Sequence, residues 1–278
     1  MPLVTTRELV AAAQDRTRAV GAFNVITLEH AEAIARGAEA AGHPAILQIS
    51  ENCIRFRGGD PAAISAAAAD VARHSAAPLA LHLDHVTDSA LLETAAACPF
   101  SSVMYDASSM GFDDNVRQTR HAVRWARERG WWVEGELGAV GGKGGAHAPG
   151  ARTAPDEAHR FVRLTEVDAL AVAVGSTHAM VAQEAQLDLD LVARLRAAVP
   201  VPLVLHGSSG VPDEQLVGAI RAGIVKVNVG TALNVAMTGT IRAQLAAEPT
   251  GVDPRSYLSA ARDAMAGVVA RLLGLLAG

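Results

Sequence analysis

The stretch LALHLDHVTD (79–88) opens as an apolar strand and closes on His82, Asp84 and His85. A strand shielded on both faces reads as a near-continuous apolar run, as in parallel sheets covered by helices. Polar side chains at its end either cap a neighbouring loop or meet the polar ends of other strands. The remaining sequence decides between these readings. Seven further runs of the same kind surround PLALHLD (78–84). They are AVGAFNV (19–25), AILQIS (45–50), SSVMYD (101–106), WWVEGEL (131–137), ALAVAVG (169–175), PLVLHG (202–207) and IVKVNVG (224–230). Helix-patterned segments lie between them, among them LEHAEAIARGAEAAG, NVRQTRHAVRWARERG and PDEQLVGAIRAG, several closing on a glycine such as Gly42, Gly130 or Gly223. Eight alternations of strand and helix at this length predict an α/β fold, a (β/α)8 TIM barrel in a single domain spanning 1–278. An open doubly wound sheet would want a glycine-rich turn after an early strand, and AFNVITLEH has none.

Composition narrows the function. Half of the 278 residues are hydrophobic, aromatics are 4%, and the net charge is −5 with both signs interspersed. No basic block marks a nucleic-acid partner, and no run of about 18 apolar residues marks a membrane span. The C-terminal AMAGVVARLLGLLAG is interrupted by Arg271 and reads as an amphipathic helix. MPLVTTRELVAAAQ lacks the order of a secretory signal, and Cys53 and Cys98 have no metal-ligand spacing. Together these predict a cytoplasmic protein with two reduced thiols.

Chemistry-capable residues fall at the strand ends: Asn24; Ser50, Glu51 and Asn52; Asp84 and His85; Asp106; Glu136; His178; His206; and Asn228. A parallel barrel gathers all C-terminal strand ends on one rim, where such enzymes build their sites. Three of these, His85, His178 and His206, would make a three-nitrogen site for a divalent ion with one position left open, and zinc suits such ligands. His82 lies one pleat below Asp84 and reads as a supporting or packing residue. His30, His43, His74, His121 and His159 lie on helices or helix ends and read as surface residues. HGSSGVPDEQL (206–216) places a Gly-Ser-Ser-Gly turn, with Gly207, Ser208 and Ser209, before a helix, a pattern that can cradle a phosphoryl oxygen. The Gly-rich segment GAVGGKGGAHAPGAR (138–152) reads as a mobile active-site loop, and PTGVDPR (249–255) as a second irregular stretch.

In order and spacing, VGAFNV, LQISE, LHLDH, SVMYDAS, VEGELG, LAVAVGSTH, PLVLHGSSGVPDE, VKVNVGT and DPRSYL resemble the class II (zinc-dependent) ketose-bisphosphate aldolases, the fructose- and tagatose-bisphosphate enzymes. The resemblance covers nearly the whole chain. It implies a lyase of carbohydrate metabolism that makes or cleaves a ketose (bis)phosphate through a zinc-stabilised enediolate, with dihydroxyacetone phosphate as donor. It implies zinc ligation by His85, His178 and His206, and Asp84 as the acid/base at the aldehyde oxygen. Asp106 and Glu136 match an alternative or second divalent site. Gly207, Ser209, Asn228 and Thr231 match donor-phosphate contacts, with Asn24, Ala179 and Ser208 beside them. Ser50 and Arg255 match positions holding the other phosphate, the arginine from a neighbouring subunit, which implies a homo-oligomer, a dimer or tetramer.

Three departures from the family pattern cluster on the donor side. Gly144 stands where the family's loop carries an acid, and no carboxylate occurs between Glu136 and Asp156. NVGTA places Gly230 and Ala232 where the family has two acids, and Ala179 replaces a glycine. His147, with Lys143, is the titratable loop candidate for a substitute base. The departures open a second expectation, a divergent member acting on a modified or unphosphorylated ketose. A zinc hydrolase or isomerase and a non-catalytic sugar-phosphate binder are the readings from other classes.

Overall fold

A computed structural model of the protein describes residues 3–16, 18–138, 152–177, 180 and 184–278. Eight strands, β1 (Val20–Asn24), β2 (Ala45–Ser50), β3 (Leu79–Val86), β4 (Ser102–Tyr105), β5 (Trp132–Leu137), β6 (Ala169–Val172), β7 (Leu203–Leu205) and β8 (Ile224–Val229), pair in parallel and in sequence order. Pairing of β8 with β1 closes the barrel. All eight apolar runs of the sequence are strands, so the expected TIM barrel is the observed one.

Helices α1 (Thr6–Asp15), α2 (Leu28–Ala41), α3 (Glu51–Phe56), α4 (Ala62–His74), α5 (Ser89–Ala95) and α6 (Phe112–Arg127) belong to the first half of the chain. Helices α7 (Pro155–Thr165), α8 (Leu189–Ala198), α9 (Asp213–Ala222), α10 (Thr231–Ala247) and α11 (Pro254–Ala277) complete the described set. Helix α2 ends on Gly42 in the left-handed region at φ 66°, and α7 begins on a proline, both where backbone preference puts them. No helix among the described residues is long and apolar enough to cross a membrane.

Two apolar layers result from strand alternation. Phe23, Leu47, Leu81, Val103, Val133, Leu170, Leu205 and Val227 face the helices in one large core. Val20, Ala22, Ile46, Ala80, Met104, Trp132, Ala169, Ala171 and Val204 point into the barrel, where Leu9 and Val10 of α1 join them. The small alanines leave room at the N-terminal end for α1, which closes it: the Val4 amide donates to Leu79 O at 2.9 Å, and Thr6 is fully buried. The interior is not apolar throughout. Gln48, His82, Glu134 and Lys226 are at most 1% exposed and lie among the strands. One expectation fails here. His30, read as a surface residue, is 2% exposed. It is the third residue of α2, its Nδ1 lies 3.1 Å from Thr27 Oγ1, and burial lowers its pKa.

Candidate active site

The site is built around the end of β3. Ala80 points inward while Leu79, Leu81 and Leu83 pack against helices, so alternation sends His82 and Asp84 inward and would send His85 outward. The strand breaks that alternation. Its register against β4 shifts between Leu83 and Val86, and His85 adopts φ 50°. A left-handed conformation at a non-glycine residue costs on the order of 1–3 kcal/mol and persists where surroundings enforce it. The effect is to turn two consecutive side chains, Asp84 and His85, onto the same rim.

Two carboxylates orient His85 and His206. His85 Nδ1 lies 2.8 Å from Asp106 Oδ2, at the end of β4. His206, just past β7, puts Nε2 2.7 Å from Glu134 Oε1. The other nitrogens, His85 Nε2 and His206 Nδ1, face each other at 2.9 Å. An ionised carboxylate can only accept, so each imidazole gives its hydrogen to its carboxylate and turns an unprotonated nitrogen toward the other ring. Two lone pairs at that separation repel unless a cation lies between them. The described residues therefore fit a shared divalent ion, with the carboxylate–histidine pairing that metal sites use to fix imidazole orientation. Asp84 belongs to the same group: ligand atoms of Asp84, His85 and His206 all lie within 4.8 Å of one another, as do those of His85, Asp106 and Glu136.

The surrounding groups sort by what their hydrogen bonds permit. Burial alone would raise the Asp106 pKa, but hydrogen bonds from His85 and Ser108 outweigh it and hold the carboxyl well below the usual range. Ser108 Oγ lies 2.7 Å from Asp106 Oδ1 and 3.1 Å from Glu136 Oε1, joining the two acids. His82 Nδ1 lies 2.8 Å from Ser102 Oγ, and burial, then the Lys226 charge, depresses its pKa to about 3. It stays neutral beneath Asp84, as a packing residue should. Asn228 Nδ2 reaches Asp84 Oδ1 at 3.4 Å.

On the far side of the rim, Gly207 sits at φ 66°, and a Cβ there would come within 2.7 Å of Thr177 C. Thr177 is thus brought against the backbone that follows His206. His178 and Ala179 themselves lie outside the described residues, as do Lys143, Gly144 and His147 and the expected loop between Gly138 and Arg152. Ser208 donates to Asn228 O at 2.6 Å, whereas Ser209 Oγ accepts from the Ala232 amide at 3.1 Å and keeps its own hydrogen for another acceptor. Thr231 opens α10, next to that turn. Ser50 caps α3, its Oγ accepting from Cys53 N. Asn24 pairs with Gln48, and a Cβ on Gly230 would meet Asn24 Nδ2 at 2.7 Å. Arg255, at the start of α11, is exposed and paired with Asp253. Thus strands β1, β2, β3, β4, β5, β7 and β8 bring their expected residues to one end of the barrel, and Arg255 stands outside this cluster. Glu134 and Lys226 were not anticipated.

The comparisons with known proteins agree with this geometry. The chain belongs to the class-II fructose-bisphosphate aldolase family, whose model matches residues 4–277. It is an aldolase of that class, a carbon–carbon lyase. A fructose-bisphosphate aldolase of Geobacillus stearothermophilus is 37% identical over 277 residues, covering 97% of this chain and 95% of that one. One of Giardia intestinalis is 36% identical, covering 95% and 90%. Among solved structures, the YdjI aldolase from Escherichia coli superposes with a TM-score of 0.84 at 30% identity, covering 99% and 97%.

Proposed function

We propose that the protein cleaves and forms the carbon–carbon bond of a ketose (bis)phosphate, with dihydroxyacetone phosphate as donor and a zinc ion held by His85, His206 and His178. A divalent ion at these nitrogens supplies Lewis acidity, drawing electron density from a ketose carbonyl. The facing unprotonated nitrogens of His85 and His206 at 2.9 Å carry this reading. Asp106 and Glu136 are the expected second or alternative divalent site.

Asp84 holds the proton exchanged with the aldehyde oxygen. It is side by side with His85, so the separation of acid and ion is fixed by one peptide unit and not by a loop. The Asn228 amide near Asp84 Oδ1 keeps that carboxylate turned to the site. The Gly207 turn, the Ser209 hydroxyl and the first residue of α10, Thr231, support a phosphate subsite on the donor side. Ser50 and Arg255 are proposed for the other phosphate. Arg255 is exposed at the start of α11, and the neighbouring α10 exposes Val235 and Leu245, consistent with a homo-oligomer in which the arginine serves a neighbouring subunit. The free thiols Cys53 and Cys98 suit a reducing cytoplasm.

A specific observation favours a modified donor as the second reading. The Asn24 amide takes the space that a side chain at Gly230 would need, so an acid cannot be placed there without moving Asn24. Deuterium exchange into dihydroxyacetone phosphate, followed by NMR with protein as purified, chelated and zinc-restored, separates the two. Exchange that stops on chelation and returns with zinc is expected. No exchange by a protein that holds zinc stoichiometrically rules out this donor.

A further inference from the structure

Below the rim, inside the barrel, lies an ion pair that fold stability does not call for. Glu134 Oε2 and Lys226 Nζ are 2.7 Å apart, and both side chains are fully buried. Well-packed apolar residues often replace such a pair without loss of stability, since desolvation offsets most of the attraction. What distinguishes this pair is where the remaining valences go. Glu134 Oε1 accepts from His206 Nε2 at 2.7 Å, and Lys226 Nζ donates to Asn228 Oδ1 at 2.8 Å. Each charge holds one residue of the site above it.

We propose that Glu134 and Lys226 are positioning residues for the aldolase site, fixing the tautomer of His206 and the amide orientation of Asn228. The inference rests on the metal-site reading above. For His206 the reasoning is chemical. Glu134 can only accept, so Nε2 carries the hydrogen, and Nδ1 is the unprotonated nitrogen turned to His85. Asn228 Nδ2 also approaches His206 Nε2, at 3.1 Å, and would favour the opposite tautomer, but the 2.7 Å contact to the Glu134 carboxylate is shorter and charge-assisted and outweighs it. For Asn228, an ammonium has no acceptor, so Oδ1 must face Lys226 and Nδ2 must face Asp84. Neither the tautomer nor the amide rotation is set by sterics, since the alternatives have the same shape. The charged pair sets both.

The comparison with Asp106 strengthens the case. Asp106 does for His85 what Glu134 does for His206, but it lies at the rim with a hydroxyl neighbour. Glu134 lies too deep for water to solvate it, and the Lys226 charge takes that part. The lysine then reaches Asn228 on its own strand, two residues on.

Two double variants separate positioning from packing. Glu134→Leu with Lys226→Met removes both hydrogen-bond functions and leaves an apolar barrel interior. Glu134→Gln with Lys226→Met restores an acceptor for His206 but leaves Asn228 unanchored. Readouts are zinc affinity by chelator competition, the d–d absorption of the cobalt-substituted protein, the thermal midpoint, and kcat and KM for donor proton exchange. The Leu/Met protein is expected to bind zinc about 10–100-fold more weakly, with a changed cobalt spectrum. The Gln/Met protein is expected to recover zinc affinity and the cobalt spectrum while kcat stays low. Wild-type zinc affinity, cobalt spectrum and kcat in the Gln/Met protein, with a folded Leu/Met protein that also binds zinc normally, would reduce the pair to packing. If Leu/Met does not fold, wild-type kcat in Gln/Met alone overturns the proposal. Failure of the unmodified protein to bind a stoichiometric divalent ion overturns instead the metal-site reading on which the proposal stands.

Discussion

Acid should destabilise this barrel through His82. Its ring is wholly buried, edge-on to Trp132 at 6.3 Å, and hydrogen-bonded to Ser102, which in turn donates to Thr6 of α1 at 2.6 Å. Burial, with the Lys226 charge behind it, brings the pKa from 6.5 to about 3. The folded value lies below the unfolded one, so the fold accommodates the neutral ring. Its contribution is complete above pH 6.5 and is lost as pH falls toward 3. Each tenfold weakening of proton affinity corresponds to about 1.4 kcal/mol. By pH 5 the loss from His82 alone is about 2 kcal/mol, and at pH 3 it is about 4 kcal/mol. Urea unfolding of chelated protein at pH 7.5, 6 and 5 measures it, with His82→Asn as reference. Asparagine can still meet the Ser102 hydroxyl but cannot titrate. Its lost ring volume shifts all points equally, and carboxylates such as Asp106 titrate in both proteins and subtract. The two stability curves should therefore converge as pH falls. Parallel curves from pH 7.5 to 5 would refute the reasoning, since the buried ring would then carry no proton-linked cost.

Three further outcomes follow from the site. Asp84→Asn should lower the rate of ketose cleavage by about 10²–10⁴-fold while bound metal, measured by elemental analysis, is unchanged. Gly207→Ala forces a methyl into a left-handed backbone against Thr177. It should cost about 1 kcal/mol or more in urea unfolding and raise KM for the phosphorylated donor. Zinc added to chelated protein at about 100 times its dissociation constant should add about 2.7 kcal/mol of stability, read as a rise in thermal midpoint that His206→Ala abolishes.

The barrel was legible because strands that meet helices on one side and packed side chains on the other are apolar at every turn. ALAVAVG and PLVLHG carry that signal without ambiguity. Strand ends were legible for the same reason: a polar residue closing such a run is conspicuous. What lay one pleat deeper was not. Glu134 stands two residues before Glu136, and Lys226 two before Asn228, as Gln48 precedes Ser50 and His82 precedes Asp84. The period of two that put the later residue of each pair inside the barrel also puts the earlier one there, and this repeated spacing was the available signal. The β3 irregularity left no such trace. Adjacency of Asp84 and His85 in sequence implies opposite faces, and only the φ of 50° at His85 reconciles adjacency with a shared rim. His30 was misjudged because a lone histidine on a helix usually meets water. Here it closes a capping interaction with Thr27 and is covered.

The seal that α1 makes also bears on molecular traffic. Leu9 and Val10 close the barrel from below, and the inward strand side chains fill what lies between, so the interior is a packed core and not a channel. The polar groups of the site therefore meet solvent at one end alone, and small molecules reach and leave Asp84, His85 and His206 by the same rim.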